Sequence, residues 1–211
     1  MDAFFILGGR GMVMTILKFI LICFVAYLAI AIFSASRVLK KRQAEMMAAY
    51  EEKQEKYAHI DEELFDNTPD LELKEGVLTH IFHKEDEDFE HLKDNLTEGE
   101  KVIYTLYQMQ IAVDEGRGSV YNFFNSPSKE YLPFLVDSFK AVGSETLADL
   151  MEKVVALVIA EQTGKYNEEN IDEDAPTFQD YTFDYLDMVE SEQLDAKLVS
   201  YMRAHKQDFI N

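Results

Sequence analysis

The longest apolar pattern in the chain lies near its amino terminus, where Phe19 to Phe33 form an unbroken run, FILICFVAYLAIAIF. Extended back through Met12–Leu17 and across Lys18, it predicts a helix over residues 12–34. At 1.5 Å per residue such a helix measures about 34 Å, enough for a hydrocarbon core of about 30 Å. Lys18 can snorkel to the nearer head groups. A cleaved signal peptide is the competing reading, with Ser34-Ala35-Ser36 as its small-residue site. The cluster Arg37, Lys40, Lys41 and Arg42 that follows hinders translocation. Those four bases outweigh Arg10 and Lys18 on the other flank, so the positive-inside rule predicts a single-pass membrane protein with a cytoplasmic C-terminal domain.

Past this run the pattern is helical throughout. Ala, Glu, Lys, Gln and Met dominate Lys41–Lys56, and Leu39, Gln43, Met46, Tyr50, Lys53, Tyr57, Ile60 and Leu64 recur at alternating spacings of four and three. This predicts a helix over 37–65 whose stripe either mediates a homodimer or packs against the domain that follows. Asn67-Thr68-Pro69-Asp70 is a turn signal, and the charged stretch Leu71–Asn95 favours helix over an isolated strand. Thr97 and Glu100 have capping-box spacing ahead of a face formed by Val102, Ile103, Leu106, Tyr107, Gln110 and Val113. Ser128–Val142 predicts the next helix, stopped by Gly143. Another runs from a Ser144 cap to about Gln162, and two last helices cover Tyr181–Val189 and Ser191–Phe209, the second capped by Ser191. No strand pattern of comparable strength is present. The expected fold is all-α: a transmembrane anchor over 1–36, a helical stalk over 37–66, an acidic connecting segment over 67–95 and a compact acidic helical domain over 96–211.

Charge changes the picture. The chain has 20 Lys/Arg and 40 Asp/Glu in 211 residues, and six of the bases but one acid fall at or before Arg42. That leaves 39 acids against 14 bases over 43–211. Such a surface repels nucleic acid and anionic lipid and attracts basic partners. The one cysteine, Cys23, lies in the apolar run, so the remainder has no disulfide and no cysteine-based metal site.

The stretch Val113-Asp114-Glu115-Gly116-Arg117-Gly118, then Tyr121-Asn122-Phe123-Phe124-Asn125-Ser126, Tyr131 and Ala141-Val142-Gly143, resembles the DNA-mimic-protein-like domain family. The ending Tyr181–Phe209, with Leu186-Asp187 and Tyr201-Met202-Arg203-Ala204-His205, is similar to the last two helices of that family. The resemblance covers roughly 96–211. It implies an acidic helical domain that imitates DNA toward a DNA-binding protein. The chain departs from the family pattern at Glu115-Gly116-Arg117-Gly118, where an Asn is missing, and at Ser144, where a small apolar residue is usual.

Two acidic segments are candidates for the partner-binding surface. One is Glu85, Asp86, Glu87 and Asp88. The other lies within Tyr166–Ala196, which holds eleven acids and no Lys or Arg, including Asp172, Glu173, Asp174, Asp180, Asp184 and Asp187. Spacings of four and three put Asp180, Asp184 and Asp187 on one helical face. The bland alternative is a solvated acidic face. His80, His83 and His91 lie among carboxylates, but no third ligand has diagnostic spacing, so neither metal nor cofactor is expected. No nucleophile–base set can be nominated and no enzyme is expected. The sequence therefore points to a membrane-anchored interaction module that presents acids to a basic protein surface, with no direct nucleic-acid binding. The alternative is a structural subunit of a membrane assembly acting through its anchor and stalk.

Overall fold

A computed structural model describes residues 37, 39–114, 118–165 and 175–210. Residues 39–57 are helical (α1). Then follow α2 (Glu62–Asn67), α3 (Asp70–Glu87), a 3-10 turn (Phe89–His91), α4 (Leu92–Asn95), α5 (Glu98–Asp114) and α6 (Val120–Asn125). A second 3-10 turn (Pro127–Tyr131) leads into α7 (Leu132–Ala141), α8 (Glu145–Gln162), α9 (Phe178–Ser191) and α10 (Leu194–Ala204), with a last 3-10 turn at Lys206–Asp208. The described residues are all-α, without a strand. The chain divides into two units, residues 1–52 and 53–211. In the first, the described residues are exposed, Leu39, Met46, Met47 and Tyr50 among them.

The second unit is organised around α5, whose Ile103, Leu106, Met109 and Val113 recur at helical spacing and are buried. Helix α5 packs against α3, α6 and α7, α7 against α8, and α8 against α9, while α10 lies on α3. Leu147, Leu150, Met151, Val154 and Val158 form the inner stripe of α8. Gly143, in the left-handed region at φ 73°, reverses the chain between α7 and α8, and the Ser144 amide donates to Phe139 O. Ser144 holds the predicted position ahead of α8, but its hydroxyl donates to Glu192 rather than capping the helix.

Residues 53–60 are packed into this core. Tyr57 and Ile60 are buried, and the Tyr57 ring lies so close over Gly76 that a Cβ there would meet it at 2.5 Å. The stripe expected to run to Leu64 therefore is not a continuous seam. Helix α1 ends at residue 57, and the buried residues beyond its exposed part serve the domain core, so the homodimer reading gains no support. The charged stretch Leu71–Asn95 is helical but divided, into α3, the 3-10 turn Phe89–His91 and α4. The two predicted terminal helices are α9 and α10, but Ser191 is the last residue of α9 and donates to Met188 O. It does not cap α10, which is preceded instead by Gln193 at φ 52°.

The membrane assignment is corrected. Among the described residues no helix is long and apolar enough to cross a membrane. Helices α1, α3 and α8 reach 18 residues or more, but Lys41, Arg42 and Glu45 on the first, Lys74, Glu75 and Lys84 on the second, and Asp149, Glu152 and Lys153 on the third interrupt any apolar window. The expected anchor over 12–34 lies outside the described residues. A single-pass topology and a membrane localisation are accordingly not supported.

Candidate acidic partner surface

Most basic residues of the domain are already engaged. Arg203 on α10 donates to Asp70 Oδ1 at 2.8 and 3.0 Å, to Phe65 O at 2.7 Å and to Thr68 O, and its guanidinium lies 5.3 Å from the Phe65 ring centroid. It thereby satisfies carbonyls at the end of α2, which α2 itself cannot pair. Lys206 bridges Glu62 and Asp66 at 2.7 and 2.8 Å. Lys74 reaches Asp195, and Lys197 reaches Glu192. Burial works to raise the Glu192 pKa, but hydrogen bonds from Lys197, Ser144 and Thr146 outweigh it and hold the carboxyl below its ordinary value.

One carboxylate is internal. Glu100, 1% exposed, accepts from Lys84 Nζ at 2.7 and 2.9 Å and from the Thr97 amide at 2.9 Å, and its own amide donates to Thr97 Oγ1 at 3.1 Å. The predicted capping box is present, and it doubles as a buried ion-pair site. His80, 3% exposed, lies with Nε2 3.5 Å from Glu100 and Nδ1 2.9 Å from Ala58 O. Burial pushes the His80 pKa down; the Lys84 charge adds to this, while Ala58 O and Glu100 oppose it. Sequence spacing had grouped His80 with His83 and His91. The structure separates them: His83 faces Glu87 at 3.4 Å and His91 donates to Asp88 at 3.0 Å. Among the described residues no group of three or more His, Cys, Asp or Glu is placed to hold a metal ion.

The candidate acids also separate. Asp88 accepts from the backbone amide and ring of His91, and these bonds hold its carboxyl below the ordinary range. Glu87 faces His83. Glu85 lies beside Tyr104, whose hydroxyl pKa is pushed up first by burial and then by the Glu85 charge. Asp86 is exposed. Asp172, Glu173 and Asp174 lie outside the described residues. On α9, Asp180 accepts from the Thr177 amide at 2.8 Å and Thr177 Oγ1 at 2.7 Å, closing a second capping box that lowers its pKa. Asp184 and Asp187 are exposed, and neither has an ion-pair partner among the described residues. Helix α9 contains no Lys or Arg.

The acids of α9 thus form an outward, un-neutralised row that ends at Glu190, because Glu192 and Asp195 beyond it are paired. Positions 180, 184, 187 and 190 give a spacing of about 5 Å along the axis, against about 3.4 Å for the phosphates of one DNA strand. The row supplies about two thirds of the linear charge density of a single strand.

A profile of the DMP19-like protein family matches residues 94–205, which include α5 to α10 and the whole of this row. The chain belongs to this family. Within the match lie Glu100, Arg203 and the α9 acids; the groups that answer the first two, His80, Lys84 and Asp70, lie before it. No curated protein matches the chain, and no solved structure does.

Two residues of this surface escaped the sequence reading. Phe183 and Leu186 on α9 are 57% and 42% exposed among the acids. The signal was available: Tyr181, Thr182, Tyr185, Met188 and Val189 trace an inward stripe, which puts 183 and 186 on the opposite side. What could not be read was that Asp195 is neutralised by Lys74, a partner remote in sequence.

Proposed function

We propose that this DMP19-like protein works by binding rather than by catalysis: its acidic helical domain occupies a basic, DNA-binding surface of a partner protein in place of DNA. The observation that carries the reading is the outward row on α9, where Asp184 and Asp187 face solvent without a neutralising base. Two physical arguments support it. Elsewhere Lys and Arg are drawn into ion pairs that hold helices together, as with Arg203 and Lys206, so the unpaired acids set the sign of the field a partner meets. An anionic row of roughly strand-like density offers a phosphate-binding groove the same electrostatic target that DNA does, without displacing structural pairs of the domain itself. The same field repels nucleic acid, so the domain competes with DNA and does not bind it.

The test is competitive capture with the immobilised full chain. Proteins retained at low salt are challenged with duplex DNA and, separately, with rising salt. The reading expects a retained partner that both treatments release, and that Asp184→Asn/Asp187→Asn fails to hold. A partner that stays bound at high salt and in excess DNA would contradict it.

A further inference from the structure

The α9 surface is not a row of charges alone. Phe183 and Leu186 are one turn apart, so their side chains adjoin on the helix surface. Asp180 precedes Phe183 by three residues and Asp187 follows it by four, while Glu190 follows Leu186 by four. The apolar pair therefore sits inside a frame of carboxylates. Exposed apolar residues elsewhere in the domain lack this arrangement. Ile159 on α8 borders an apolar surface cavity with Leu132 and Val155, and Leu71 on α3 one shared with Val199; in neither is a second large, exposed apolar side chain present among acids. Phe89 is a single apolar residue on a three-residue 3-10 turn, Phe89–His91, whose own acid is Glu90 and whose cap Asp88 is occupied by His91.

We propose that the outer face of α9 docks a cationic amphipathic helix of a partner protein, with an apolar ridge seated on Phe183 and Leu186 and Lys or Arg side chains set against Asp184, Asp187 and Glu190. The inference rests on the basic-partner reading and narrows it. Charge complementarity fixes the sign of the partner, since α9 carries four acids, three of them adjoining the pair, and no base. The apolar pair fixes the rest. A purely hydrophilic basic segment would cover two large hydrophobic side chains with its own charged groups and desolvate them without compensation. A helix that alternates an apolar ridge with flanking cations meets both requirements, and a ridge of two side chains one turn apart suits helix-on-helix packing. The carboxylates steer the approach, and the apolar contact supplies the part of the affinity that salt leaves standing.

The experiment uses the full chain and two fluorescent probes with equal numbers of lysines: a Leu/Lys peptide patterned at helical period, and oligolysine. Anisotropy titrations are run at low and physiological salt. The expected result is binding of the Leu/Lys peptide about tenfold tighter than oligolysine, a preference that Phe183→Ala/Leu186→Ala reduces to within about twofold. Ile159→Ala should leave the preference intact. Because all three residues are exposed, the thermal unfolding of each variant should match the parent, which separates loss of contact from loss of fold. Equal binding of the two probes, or a preference that survives in the double variant, would overturn the proposal while leaving the basic-partner reading in place. A preference abolished by Phe89→Ala instead would move the surface to the 3-10 turn and likewise overturn it. If neither probe binds, the electrostatic reading of the domain fails together with this one.

Discussion

The run Glu85–Asp88 and the outer face of α9 are both acidic and both belong to helical segments, yet they end in different roles. At the end of α3 three of the four acids are engaged in their own neighbourhood and Asp86 alone is exposed without an ion pair: Glu87 faces His83, Asp88 holds the following 3-10 turn through His91, and Glu85 lies against Tyr104. On α9 only Asp180 is used locally, in its capping box; Asp184 and Asp187 are exposed and have no ion-pair partner among the described residues. The difference comes from what surrounds each run. His83 and His91 are spaced within one turn of the first set, whereas α9 has neither histidine nor base. Acid content alone therefore does not distinguish the two runs; the presence or absence of a local counter-group does.

Substitutions can sharpen that contrast. The largest effect belongs to a carboxylate that serves structure. Glu100→Ala opens a capping box and leaves Lys84 without its ion-pair partner beside buried His80, and should cost about 3 kcal/mol, read as a fall in the urea midpoint. Arg203→Ala strands Asp70 and the carbonyls of Phe65 and Thr68, and should cost about 2 kcal/mol by the same measurement. Asp180→Ala removes one half of the Thr177 capping box and should lower the urea midpoint by less than either of these.

A smaller effect should follow pH. Burial holds the folded-state pKa of His80 below its unfolded value of about 6.5. The unfolded chain then takes up a proton that the folded one refuses, so stability falls as pH drops through about 6.5 toward the folded value. His91, raised by Asp88, acts in the opposite sense, favouring the fold below that pH. On going from pH 7.5 to 5.5 the urea midpoint of His80→Gln should therefore fall less, or rise more, than that of the parent, the His91 contribution being common to both. Smallest of all in stability, Asp184→Asn/Asp187→Asn should stay within about 0.5 kcal/mol of the parent while weakening a basic partner and flattening its salt dependence.

Much of the fold could be read along the chain, because the signals were local. The Thr97–Glu100 spacing gave a capping box, Gly143 supplied the left-handed turn, and the stripe from Leu147 to Val158 was the inner face of α8. Failures occurred where the deciding partner was distant in sequence. The stalk pattern ran past the end of α1 because nothing local shows that Tyr57 packs on Gly76. The eleven-acid stretch overstated the free surface, since Lys74 neutralises Asp195 from another helix. Ser191 looked like a cap ahead of α10, but α9 runs on through it and the left-handed residue is Gln193. The membrane reading weighed an apolar run by length, and the described helices carry no counterpart to it.

Hydrogen exchange of the full chain, with and without saturating oligoarginine, compares the two acidic regions directly. The account predicts that the probe slows exchange in peptides covering 178–191 and leaves those covering 85–91 unchanged. Protection confined to 85–91, or equal protection of both segments, would contradict the claim that un-neutralised acids on α9 form the partner surface.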